Sequence, residues 1–167
     1  KGIYKISTQG IITKLVKNNY DKSIYIDKLA NGKLLNGFQT ISEIKYLSFN
    51  NKLIQVKFSK RFSSQSLLFV VKVNENELLV SFNRMIYKIT QNKADLLAEF
   101  KTDILWFGLD KYGKYWLSVR GNGIKCYQDA DFSKQPKEIY FDGMDVSSFM
   151  IDNENGYWFT TLESGIF

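Results

Sequence analysis

Along most of this chain apolar and polar residues alternate with a period of two. In "YWLSV" (115–119), Trp116 and Ser118 fall on one side and Tyr115, Leu117 and Val119 on the other, which is strand spacing. The same alternation fills "GIYKISTQGIITKLVK" from Gly2, "EIKYLSFNNKLIQVKF" from Glu43, "MIYKITQNKADLLAEF" from Met85 and "GIKCYQDADFSKQPKEIYF" from Gly123. Each is a β-like run, a short polar break and a second β-like run. The breaks ("KYGK", "NENG", "NEN", "RGNG") are built of Asn, Gly and Asp, which tolerate positive φ and favour tight hairpins. "KADLLAEF" (93–100) has the composition of a short helix. Its counterparts "GIITKLVK" and "NKLIQVKF" are rich in β-formers, so the pattern predicts a strand there too.

These runs belong to a tandem repeat. "DKYGKYWLSVRGNGI" begins at Asp110, and "DNENGYWFTTLESGI" follows it 42 residues later, with Asp110/Asp152, Tyr115/Tyr157, Trp116/Trp158, Gly123/Gly165 and Ile124/Ile166 in register. Looser copies start at Ile24 ("IYIDKLANGKLL") and Phe69 ("FVVKVNENELLV"), with Leu34 and Leu78 near the Trp position. The units run over about 2–42, 43–84, 85–122 and 123–164, and a fifth opens at 165–167. Each unit predicts four strands joined as a meander. Such a meander every forty or so residues marks a β-propeller blade, because a lone meander cannot bury both faces and a stack of them can. The expected fold is therefore all-β: one propeller segment over 1–167 holding about four consecutive blades. An immunoglobulin-like sandwich does not repeat at this period. An antiparallel barrel is the architectural alternative.

Composition changes this picture little. Of 167 residues, 44% are hydrophobic and 24% charged, as in a folded domain. The formal charge is +6 and the pI about 9.2, yet Lys is scattered, and the densest basic stretch, "KFSKRF" (57–62), holds three basic residues. That is the charge of solvated faces, not of a nucleic-acid surface. The absence of His removes the usual metal ligand and neutral-pH proton carrier. Cys126 is the sole cysteine, has no partner within the chain for a disulfide, and is expected to pack as a small apolar side chain. No apolar run reaches the roughly 18 residues of a membrane span, so no membrane contact is expected. "DNENG" lacks the spacing of a calcium loop, and "GNG" (121–123) is a hairpin turn with no helix after it, so no metal or cofactor is expected. The chain opens on "KGIYKIS" and closes on "SGIF", and Gly2-Ile3-Tyr4 and Gly165-Ile166-Phe167 occupy one place in the repeat. A piece of a larger propeller is the resulting expectation, paired through its exposed blade edges with the rest of its parent or with another copy.

The pattern carried by Asp110, Gly113, Trp116, Gly123 and Ile124, and again by Asp152, Gly156, Trp158, Thr161, Gly165 and Ile166, resembles the two-component regulator propeller repeat. Two units match strongly and two loosely. The resemblance implies the extracytoplasmic (periplasmic) sensor region of a hybrid histidine kinase, many of which respond to glycan fragments. It implies a non-enzymatic segment, an oligosaccharide as ligand, and kinase activity elsewhere in a parent. A protein-binding scaffold and a fragment of a polysaccharide-acting enzyme are the alternatives.

Trp116 and Trp158 invite a role as sugar platforms, but a residue required in each blade is expected to pack between blades. Asp110 and Asp152 stand where a strand enters a turn and are expected to accept backbone N–H bonds across it. No catalytic residue is expected. The predicted strand order brings "FNRM", "FKTD", "VRGNG", "FDGMD" and "LESG" to one face, which makes Arg84, Lys101, Arg120, Asn122 and Asp142 the candidate ligand-binding residues.

Overall fold

The computed structural model describes residues 2–17, 23–28, 34–39, 43–47, 53–57, 68–74, 77–90 and 93–167, with side chains over 7–12, 69–74, 77–90 and 93–167. Its described residues form strands and no helix. The side chain at Leu34 and residues 58–62, with Lys60 and Arg61 of the basic stretch, lie outside the described set. Contacts divide the chain into two compact units, Lys1–Ser64 and Gln65–Phe167.

In the first unit, β1 (Gly2–Ile6) and β2 (Ile12–Lys17) form an antiparallel hairpin. Ser7 organises its turn: the Ser7 Oγ accepts the N–H groups of Gln9 (3.2 Å) and Ile11 (3.1 Å). β3 (Ser23–Lys28), β4 (Leu34–Gln39), β5 (Glu43–Leu47) and β6 (Leu53–Lys57) then make a four-stranded meander in chain order.

The second unit repeats that meander. β7 (Leu68–Lys72), β8 (Glu77–Phe82), β9 (Met85–Thr90) and β10 (Lys93–Glu99) form one sheet. β11 (Ile104–Leu109), β12 (Tyr115–Val119), β13 (Ile124–Tyr127) and β14 (Glu138–Tyr140) form the next. β15 (Val146–Ile151), β16 (Tyr157–Thr161) and the two-residue β17 (Gly165–Ile166) form a third. "KADLLAEF" is a strand, as its repeat counterparts require. It lies at the outer edge of its sheet, where Leu96 and Leu97 are exposed and Ala98 packs, partly buried, against the core.

The sheets and the repeat units are half a period out of phase. The repeat unit that opens at Met85 spans β9–β12, two strands from each of two sheets. The hairpin turn at "GNGI" falls in the middle of a sheet. The breaks between sheets are the connectors 100–103 and 141–145.

Sheets of the second unit stack face to face, with β7, β11 and β15 side by side as the inner strands. This is the packing of propeller blades. The middle sheet is buried on both faces, and β12 is buried at every position. Tyr115, Leu117 and Val119 meet Val71, Leu79 and Ile86 of the preceding sheet, together with Phe107, Tyr127 and Phe132. Trp116, Ile124 and Cys126 meet Val146, Phe149 and Phe159 of the following sheet. Trp116 stacks on Phe149 with ring centroids 4.3 Å apart and closes on Tyr140 at 5.9 Å. Aromatic pairs of this kind contribute about 0.5–1.5 kcal/mol beyond area burial. The buried Ser118 hydroxyl donates to the Val146 carbonyl at 2.6 Å, tying β12 to the inner strand of the next sheet. In the first sheet of this unit, Leu79, not the adjacent Leu78, faces the following sheet, as Trp116 does in the second. Leu79 thus holds the Trp position, with Ser81 two residues on as Ser118 is.

Candidate functional site

Two ends of the stack carry polar structure. At one end are the β11–β12 and β15–β16 turns, which hold the repeated aspartates. Asp110 Oδ1 accepts the N–H groups of Tyr112 (2.8 Å) and Lys114 (2.9 Å), and its Oδ2 accepts the Trp116 indole N–H at 2.8 Å. Asp152 does the same with Glu154 (2.9 Å), Gly156 (2.7 Å) and the Trp158 indole (2.6 Å). The backbone bonds were legible in the sequence. The indole bond was not, although a spacing of six residues from Asp to Trp in both copies was its signal. The left-handed corner of each turn is Gly113 (φ +79°) in one copy and Asn155 (φ +68°) in the other. Gly156 is therefore not the counterpart of Gly113. It gives room, since a Cβ there would sit 2.6 Å from Asp152 Oδ2. The two turns also touch: Lys111 Nζ and Tyr112 Oη both donate to Asn155 Oδ1, each at 2.7 Å. Their side chains are engaged with one another and with backbone.

At the other end, backbone bonds join the five loops into one rim. The Arg84 carbonyl accepts the Phe100 N–H at 2.8 Å, and the Asn83 carbonyl accepts that of Ile104 at 2.6 Å. Arg120 N–H donates to the Asp103 carbonyl (2.9 Å), and the Thr102 hydroxyl returns a bond to the Arg120 carbonyl (2.9 Å). Gly123 N–H donates to the Met144 carbonyl (3.0 Å), and Leu162 N–H to that of Asp145 (2.9 Å). All five candidate residues lie on this rim and are exposed. Arg84 pairs with Glu99 at 3.0 Å and Arg120 with Asp145 at 3.3 Å. Exposed pairs like these contribute about 0–1 kcal/mol, so they leave both guanidinium groups able to exchange partners. Asn122 Nδ2 donates to the Arg120 carbonyl at 2.9 Å, which shapes the hairpin tip. Asp142 caps only the N–H of its neighbour Gly143, at 3.1 Å.

Sequence reasoning missed Asp145. One of its carboxylate oxygens accepts the Gly121 N–H at 2.6 Å and the other faces Arg120, so it joins two loops. Asp103-Ile104 and Asp145-Val146 recur 42 residues apart, a signal weaker than the Trp motif but present. Asp145 also lines a cavity of about 270 Å³ with Gly143, Met144, Thr161, Glu163 and Ser164. Its walls offer carboxylate, hydroxyl and backbone groups, a lining suited to a polyhydroxylated or amide-bearing molecule. A second recess, of about 200 Å³ and more apolar, lies near the aspartate turns between Trp106, Leu109, Lys111, Phe149 and Met150. Among the described residues no helix is long and apolar enough to cross a membrane, and no group of three or more Cys, Asp or Glu is placed to share a metal ion.

No family model matches the chain, and no curated protein does. Solved structures do match in fold. Virginiamycin B lyase from Staphylococcus aureus superposes with a TM-score of 0.63 at 13% identity, over 93% of this chain and 55% of the lyase. A catalytically inactive variant of that lyase, with a histidine changed to alanine and bound to quinupristin, matches over 98% of this chain and 61% of the other at 16% identity (TM-score 0.62). Two structures of the extracellular domain of BT4673 from B. thetaiotaomicron, described as a one component and as a hybrid two component system, match at 16% identity with TM-scores of 0.64 and 0.62, over 99% of this chain and 24% of each. This chain thus spans about half of the lyase and about a quarter of the extracellular domain of BT4673. At these identities the likeness is one of fold: all-β, made of propeller blades.

Proposed function

We propose that this chain is a recognition segment of an extracytoplasmic sensor propeller, non-enzymatic in itself, which binds an oligosaccharide at its loop rim and serves a two-component signalling protein. One observation carries the reading. Five loops from successive sheets are tied by backbone bonds into a single rim that carries Arg84, Lys101, Arg120, Asn122 and Asp142, and two of those loops line a polar cavity at Gly143–Asp145 and at Thr161, Glu163 and Ser164. Preorganised loops on a rigid stack are where such folds recognise ligands. The likeness to the extracellular domain of BT4673 supports the signalling context.

A lyase-like enzyme is the second reading, since virginiamycin B lyase shares the fold. In that protein a histidine-to-alanine variant is inactive, and the 167 residues of this chain, which span about 61% of it, contain no histidine. A scaffold that binds a protein partner on the same rim differs from the sensor only in its ligand.

NMR titration of the chain with oligogalacturonides, and in parallel with neutral malto-oligosaccharides, tests the proposal. Amide shifts confined to 83–84, 100–103, 120–123, 141–145 and 161–164 are expected, with Arg120→Ala weakening binding about tenfold, or ~1.4 kcal/mol. Shifts centred on the Asp110 and Asp152 turns, or none with either sugar class, would overturn it.

A further inference from the structure

Trp116 and Trp158 have the same place in the repeat and opposite surroundings. Trp116 and Ile124 are completely buried by the following sheet. Their counterparts Trp158 and Ile166 are 46% and 68% exposed, and Met150, which pairs with Trp158 across the sheet, is 58% exposed. These three residues lie on one face of the β15–β17 sheet, the face opposite Phe149 and Phe159. The sheet before it uses the same face to take up Val146, Phe149 and Phe159. The interface between those two sheets therefore shows that this face of the repeat packs against an apolar, aromatic-rich sheet surface.

We propose that the Trp158–Met150–Ile166 face is a docking surface for the same face of a second copy, since the Val146–Phe149–Phe159 face of each copy is already buried within its own stack. The open face continues an interface already formed once within the unit, and its indole is held by Asp152 as that of Trp116 is by Asp110. A braced tryptophan has little rotamer freedom left to lose on docking, which favours association. Contiguous apolar patches of this kind on soluble chains mark interaction surfaces.

Sedimentation velocity of the 167-residue chain tests this. Concentration-dependent self-association is expected by about 100 μM, accompanied by a blue shift of tryptophan emission. Trp158→Glu should leave the chain monomeric with an unchanged far-UV circular dichroism spectrum, whereas Leu97→Glu, on the exposed outer strand β10, should associate as the unsubstituted chain does. An unsubstituted chain that stays monomeric, or a folded Trp158→Glu chain that associates undiminished, would sink the idea. Should Trp158→Glu not fold, Met150→Lys and Ile166→Asp decide in its place: loss of association in both supports the face, and its persistence in either rejects it.

Discussion

A carboxylate that takes two backbone N–H groups on one oxygen and an indole N–H on the other does so best when ionised. The Trp158 indole bond, and after it the Gly156 N–H, hold the Asp152 carboxyl below its ordinary value of 3.8. Its folded-state pKa is thus depressed. The stability it contributes is present above the unfolded value of about 3.9 and is lost as pH falls through the lower folded one. The carboxyl ¹³C resonance of Asp152 should therefore titrate with a midpoint below 3.8, and Trp158→Phe should move that midpoint upward. A midpoint at or above the ordinary value would show that the brace does not form in solution. The Asp and the Trp were each legible from their recurrence, and so was the turn that the Asp closes. Their bond to each other was not, because alternation places a strand residue on a face but says nothing of which way an indole edge turns.

Glycine shows what a hairpin between two elements demands. In the β12–β13 turn, Gly121 (φ +70°) and Gly123 (φ +62°) are both left-handed. They differ in surroundings: a Cβ on Gly121 meets nothing within 4 Å, whereas one on Gly123 would lie 2.2 Å from the Tyr140 carbonyl oxygen and 2.6 Å from that of Phe141. Gly121→Ala then carries only the backbone penalty, about 1–2 kcal/mol. Gly123→Ala adds a collision with backbone that can yield only by moving β14 away from β13, and urea denaturation should show it to be the more destabilising of the two. Equal losses would mean that the close approach of Tyr140 is not maintained. This contrast also explains why the repeat was easy to find and its sheets hard to delimit. The Gly-Ile letters are fixed by conformation and contact at a turn within a sheet, so they recur strongly. The sheets end at connectors 100–103 and 141–145, where most of the bonding is by backbone groups and the recurring side-chain signal is confined to Asp103/Asp145. Counting from the strongest letters therefore cut each sheet in half.

Across the second unit as a whole, stability is shared between neighbouring sheets, as in other stacked repeats. Cys126 reports on one joint of that stack. Its thiol is fully buried between the β11–β14 and β15–β17 sheets, and burial pushes its pKa up, so it is doubly protected from alkylation. The β15–β17 sheet covers it with one face only, and its other face is open to solvent at Trp158 and Met150. The middle sheet is held from both sides. Separation of the last sheet should accordingly require less free energy than unfolding of the unit, and it suffices to expose Cys126. Iodoacetamide labelling of the native chain, followed across low urea concentrations, should show a dependence on urea well below the m-value of the full transition, since less surface is exposed. Phe159→Leu, at the joint itself, should speed labelling by more than it lowers the global midpoint. Labelling that tracks the full m-value would instead show that the sheets open together. In that case the contacts of Trp116 with Phe149 and Phe159 couple the last sheet to the stack as tightly as the Leu79–Leu117 side couples the first, despite its open outer face.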